Sequence, residues 1–266
     1  TLTLLAILAL AFPALAADEN AGVAHGSSDM AYLSPDSTGW FPASKLFPSF
    51  LADPRRISFS GGFRYDDRSF DRYRTRYIPL GSGGVLPTDS HVMGKDRLFG
   101  AVSVGSRIPV YRWNVQKGLI QFDIEGGVWA LFAFKLAHGW LPYSSTLLTA
   151  DYYFAFPTSY RYGPLALQIK FWHMSSHLGD ELMIMYPGIP RRNVSNEGLD
   201  AFVVYDIVEQ IRIYGGAGCV YHTFRGARFD PFYLEYGVEI RPFNAIRAGR
   251  STLFQPYIAA HVKNWQ

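Results

Sequence analysis

LALQIKFWHMSSH, residues 165 to 177, alternates with a period of two and changes chemistry partway along one face. Alternate side chains of a β-strand share a face. The odd positions here are Leu165, Leu167, Ile169 and Phe171, then His173, Ser175 and His177, while the even ones include Gln168 and Lys170. An apolar face opposite a polar one is the dyad of a strand crossing a bilayer in a barrel, with lipid outside and a lumen within. Two imidazoles and a hydroxyl continue the lipid-side row, and that placement predicts chemistry directed at a lipid.

The same dyad recurs along the chain. In 119 to 134 the even positions Ile120, Phe122, Ile124, Val128, Phe132 and Phe134 oppose Gln121, Asp123 and Glu125. In 232 to 241 Phe232, Leu234, Tyr236, Val238 and Ile240 oppose Glu235, Glu239 and Arg241, and in 210 to 223 Ile211, Ile213, Ala217 and Cys219 oppose Gln210, Arg212 and Tyr214. A less clean alternation covers 57 to 65, 99 to 110, 147 to 156, 199 to 207 and 252 to 263, giving about nine strands with 165 to 177. Pro256 lies inside the last of these, where a missing N–H breaks a ladder, so that strand is expected to start later.

Connections on one side, near 66 to 98, 135 to 146, 178 to 198 and 224 to 231, are long, and those on the other are mostly short. Long outside and short inside is the outer-membrane arrangement. The predicted fold is therefore all-β, an antiparallel transmembrane β-barrel with about nine strands visible and about 10 to 12 when complete, its C-terminal strand or strands missing, since single-chain barrels close on an even count. A soluble lipocalin-like barrel or β-sandwich also alternates, but would turn its apolar face inward and leave the outside polar.

Composition agrees with an interface protein, since charged residues are 18% and aromatic residues 16% of the chain. A net charge of +3 without a basic run excludes a nucleic-acid footprint. TLTLLAILALAFPALA, residues 1 to 16, is an apolar run ending in small residues, as in a secretory signal, and is short of the roughly 20 residues of a spanning helix. The expected organisation is a signal peptide over 1–17, an irregular periplasmic lead-in over 18–55, and an outer-membrane barrel over 56–266. Cys219 is the only cysteine, so no intrachain disulfide forms.

WFPASKLFPSFLADPR, Trp40 to Arg55, and HMSSHLGDE, His173 to Glu181, resemble a family of bacterial outer-membrane barrel proteins known as a domain of unknown function. The resemblance runs from about Trp40 to the end of the chain and implies an integral outer-membrane location without an activity. His173 and Ser175 are also distantly similar to the His-x-Ser pair of the lipid A 3-O-deacylases, which faces the outer leaflet. Those enzymes have Asn where this chain has Ser176, and their orienting Glu lies farther downstream than Asp180 or Glu181.

A Ser hydroxyl becomes a nucleophile when an imidazole takes its proton and a carboxylate orients that imidazole. The residue types give Ser175 as nucleophile, His173 as base and Glu181 or Asp180 as orienting acid, with Phe171, Ser176 and His177 meeting the lipid. Outer-membrane lipid, lipid A or phospholipid, is the expected partner, and a protein partner of the outer loops is unassigned. The competing reading makes His173, Ser175 and His177 polar residues of the interfacial girdle in a non-enzymatic barrel, a narrow channel or a surface-binding protein. His177, Asp180 and Glu181 match no metal-binding spacing, so neither metal nor cofactor is expected. Charges of both signs at lumenal parity, among them Arg107, Asp123, Glu125, Lys170, Asp200 and Arg212, point to a filled interior. PLGSGG at Pro79 to Gly84 lacks a following Lys-Ser or Lys-Thr and is read as an outer loop.

Overall fold

The computed structural model describes residues 38–65, 98–136, 142–185, 194–224, 231–243, 246–248 and 251–265. The expected signal segment, the PLGSGG loop and most of the long connections lie outside the described residues.

Ten strands form one sheet: β1 (Gly39–Trp40), β2 (Ser60–Tyr65), β3 (Leu98–Val115), β4 (Gly118–Leu136), β5 (Pro142–Tyr162), β6 (Leu165–Leu178), β7 (Val194–Val208), β8 (Ile211–Phe224), β9 (Phe232–Ile240) and β12 (Ile258–Trp265). β10 (Ile246–Ala248) and β11 (Ser251–Phe254) make a separate hairpin, and one short helix, α1 (Asp180–Met185), follows β6. From β3 to β9 each strand pairs antiparallel with the next, then β9 pairs with β12, while β1 and β2 share the free edge of β3. Among the described residues no pairing joins β12 to that edge.

The nine expected strands correspond to β2 to β9 and β12. Several boundaries differ: β2 starts at Ser60, β3 runs on to Val115 and β5 begins at Pro142. Two further differences have a physical reason. β5 runs on through Pro157 to Tyr162 where a lower connection is expected, because the β4–β5 ladder is interrupted between Phe122↔Thr158 and Glu125↔Ala155 and the missing N–H falls in that gap. β7 starts at Val194, inside an expected loop, because VSNEG lacks apolar alternation yet pairs with β6 and β8. The last strand begins at Ile258, two residues past Pro256, as the proline requires.

The two faces of the sheet differ in kind. Ile169, Phe171, Phe154, Phe156, Ile213 and Tyr236 stand exposed on one face, whereas Arg112, Gln121, Asp123, Arg212 and Glu239 are buried on the other. The polar face is concave and holds residues 44 to 57. Arg112 donates to the Ser44 carbonyl at 2.5 Å, Arg107 to that of Phe47 at 3.2 Å and Arg161 to that of Leu46 at 3.3 Å, while the Leu51 N–H donates to Glu239 at 2.7 Å. Phe50 stacks on Tyr214 with centroids 3.9 Å apart and planes 5° apart, meets Phe202 edge-on, and lies 6.3 Å from the His261 ring. One short segment thus touches β3, β5, β7, β8, β9 and β12, so the sheet curls around it. Ile57 lies over Gly105 and Gly127, where added Cβ atoms would meet its side chain 2.9 and 2.8 Å away.

Ion pairs complete the interior. Arg107 holds Glu125 at 2.8 Å, Arg212 holds Asp206 at 2.6 Å, and Arg241 holds Glu239 at 2.9 Å. Buried charges need such partners, since each unpaired ion would carry several kcal/mol of desolvation penalty.

Candidate functional site

The outward row of β6 places the candidate residues. Because odd positions face away from the concave side, His173 follows Phe171 onto the exposed face and Ser175 and His177 continue the row. Ser176 has the parity of Met174, which lines the concave side, and so belongs to the opposite row.

Register across the sheet then adds two residues from other strands. His173 lies opposite Glu197 of β7, and Glu197 lies opposite His222 of β8. A bulge in the β7–β8 ladder sets Glu197↔His222 next to Gly198↔Val220, leaving Tyr221 as the extra residue and turning His222 outward. His173 Nδ1 lies 3.1 Å from Glu197 Oε1, and His222 Nδ1 contacts Glu197 Oε2. One carboxylate therefore binds two imidazoles through Nδ1, which leaves Nε2 of each ring for other partners. The side chains of His173 and His222 are 46% and 56% exposed, so the row is open to whatever bathes this face.

Ser175 completes the cluster. Its Oγ lies 3.3 Å from His177 Nε2, and the His177 ring meets Tyr152 edge-on at 5.5 Å. The hydroxyl is flanked by Tyr152 on β5 and Ser195 on β7. The acid–base contact and the hydroxyl–base contact of a triad are both present, divided between two imidazoles: Glu197 orients His173 while His177 holds Ser175.

The candidate acids after the strand belong to the first turn of α1. Glu181 accepts a bond from the Leu147 N–H at 3.0 Å, and Asp180 opens α1, which is fastened by Leu182 against Ala133 and Leu148. Among the described residues no group of three His, Cys, Asp or Glu could hold a metal ion.

Glu197 and His222 are the site residues that sequence reading missed. Glu197 does carry a signal, since it shares the odd parity of Leu199, Ala201 and Val203 and is a carboxylate in an apolar row. His222 carries none, because the bulge reverses its parity and only the paired strand reveals it.

No curated protein and no solved structure matches the chain. A family model does, over residues 27–266, so the Trp40 to Arg55 and His173 to Glu181 stretches both fall within it. The chain belongs to the family described as "Protein of unknown function (DUF1207)".

Proposed function

We propose that this chain is an integral outer-membrane protein whose curled sheet closes as a β-barrel, and that Ser175 and its imidazoles hydrolyse an ester of lipid A or phospholipid at the outer rim. The observation that carries the membrane reading is the inversion of the two faces: charged groups covered, large apolar groups exposed. A lipid-facing band next to a polar lumen accounts for that inversion, and a water-facing exterior does not. The hydrolytic reading rests on Ser175 Oγ and His177 Nε2 at 3.3 Å on the same exposed row as Phe171.

In this reading Ser175 Oγ attacks the ester carbonyl as its proton passes to an imidazole. The imidazolium returns the proton to the departing alkoxide, leaving an acyl-serine. Water, deprotonated by the same ring, then releases the fatty acid and restores the hydroxyl. His177 is the base in contact with the nucleophile, and His173, oriented by Glu197, is the second candidate on the other side of Ser175.

Release of fatty acid from purified lipid A and from phospholipid vesicles tests this. Ser175→Ala should lower release by at least about a hundredfold with the folded protein retained, and the imidazole whose removal matches that loss is the base. Release unchanged by Ser175→Ala would remove the enzyme reading and leave the membrane protein.

The second reading is a non-enzymatic barrel that binds a ligand. It is favoured by residues 44 to 57, which occupy the lower concave face and are fixed there by four polar contacts. Planar bilayers containing the protein should accordingly show no steady single-channel steps. Ion-selective steps would restore the channel form.

A further inference from the structure

Above residues 47 to 57 the concave side keeps a cavity of about 580 Å³. That volume lies within the roughly 300–1,000 Å³ of small-molecule sites. It is separated from the Ser175 row by the thickness of the sheet, and its argument does not depend on hydrolysis.

Aromatic rings stand on both sides of it. Trp129 and Tyr153 form an edge-on pair at 5.5 Å on β4 and β5, and Tyr233 and Trp265 form a tilted pair at 4.7 Å on β9 and β12. Trp172, between them on β6, is held by its N–H to Asp200 at 2.9 Å, and Asp200 also accepts from the Tyr233 hydroxyl. The rings are therefore fixed, a condition for stacking a ligand without a large ordering penalty.

Four ion pairs stand at the cavity, and Arg56, which also lines it, keeps a buried Nε–H with no hydrogen-bond partner among the described residues. Arg107 faces Glu125 at 2.8 Å, Lys170 faces Asp200 at 3.3 Å, Arg55 faces Asp151 at 3.0 Å, and Lys263 contacts Glu235. Neutral hydrogen-bonding capacity, by contrast, is unmet at the wall. The Trp129 Nε1–H donor and the Asn196 Oδ1 acceptor are buried and have no hydrogen-bond partner among the described residues, and Asn196 as a whole is only 9% exposed.

Rings on opposite walls, charge held mostly in pairs, and unmet donors together with an unmet acceptor describe a ligand with apolar faces and an edge of hydroxyls. A sugar ring has that form: its C–H face packs on an aromatic ring and each hydroxyl both donates and accepts. We infer that the cavity is a binding site for a saccharide.

The test uses the full chain purified in lauryldimethylamine oxide, a detergent without a sugar headgroup. Maltose, cellobiose and N-acetylglucosamine are titrated by calorimetry and by tryptophan fluorescence, which the cavity tryptophans report. At least one should bind saturably, with a dissociation constant in the range of about 1 mM or below. Trp129→Phe, which keeps an aromatic ring and removes the N–H, and Asn196→Ala should each weaken that binding by about tenfold. Phe171→Ala on the opposite face should leave it unchanged, and circular dichroism checks that the variants keep their sheet. Failure of all three sugars to bind would overturn the inference. So would binding indifferent to both cavity variants in folded protein, or tighter binding of succinate than of any sugar.

Discussion

From β6 to β9 the two faces of the same strands have exchanged the roles they hold in a water-soluble protein. Arg212 is 1% exposed and Glu239 is 0%, whereas Ile169 is 55% exposed and Phe171 53%. The concave face is polar yet largely covered, because many of its charges pair and because residues 44 to 57 lie against it and supply carbonyl and N–H partners. The convex face is apolar yet uncovered, and no segment among the described residues lies over its central band. In water the first arrangement is affordable only through its pairings, and the second is unfavourable outright. The strict alternation of the sequence follows the same division, apolar residues on one face and polar ones on the other.

The interior half of the contrast breaks most readily at Arg212, which binds Asp206 at 2.6 Å and Glu239 at 3.4 Å while fully enclosed. Arg212→Leu leaves two carboxylates with one cation fewer, and Glu239 has no route to water. Loss of about 3–5 kcal/mol is expected, read as a lower urea midpoint on unfolding from detergent or lipid. A change below about 1 kcal/mol would mean that the concave face is wetted in solution and that its pairs behave as surface ion pairs.

The exterior half is tested at Ile169, in the middle of the β6 row. Ile169→Arg should destabilise the protein by about 2–4 kcal/mol when refolded into phospholipid vesicles, the penalty for a charge near the bilayer midplane. If this face met water instead, the same substitution would stay within about 0.5 kcal/mol, as exposed changes usually do. The two outcomes are far enough apart for one pair of urea titrations to separate them, and the smaller one would sink the membrane reading.

Much of this was legible in LALQIKFWHMSSH and its counterparts because period two is a local property. Whether Phe171 and Lys170 take opposite faces is settled by adjacent residues, and the structure puts them there. Pro256 likewise announced a late start for β12 through its own missing N–H. What resisted reading was relational. Glu197 becomes the partner of His173 only through register across a loop, and the bulge that turns His222 outward has no composition of its own. The family match over residues 27–266 covers these positions and assigns no role to any of them. Residues 44 to 55 fall in the expected lead-in and Ile57 at the start of an expected strand; the lack of a period over 44 to 57 reflects a segment that meets six strands by individual contacts rather than by one face. Such a segment signals itself only through the glycines and arginines that receive it.

Those glycines permit the smallest and most local test. Gly127 and Gly105 are directly paired on β4 and β3, and both present backbone to Ile57. A Cβ added at Gly127 would meet Ile57 Cδ1 at 2.8 Å, a contact that a rotation of the isoleucine can relieve, whereas at Gly105 it would also meet the Gly126 carbonyl at 2.6 Å, which cannot move without bending the ladder. Gly127→Ala should therefore lower stability by about 1 kcal/mol, and Gly105→Ala by more, toward about 3 kcal/mol. Trimming Ile57 discriminates between a packing clash and a strand effect. In Ile57→Ala protein the Gly127→Ala penalty should nearly vanish, since the atom it strikes is gone, while most of the Gly105→Ala penalty should remain because backbone causes it. A double-mutant cycle in urea measures both couplings. Equal penalties with and without Ile57 at Gly127 would mean that the segment does not rest on this sheet in solution, and the burial of the polar face would then need another explanation.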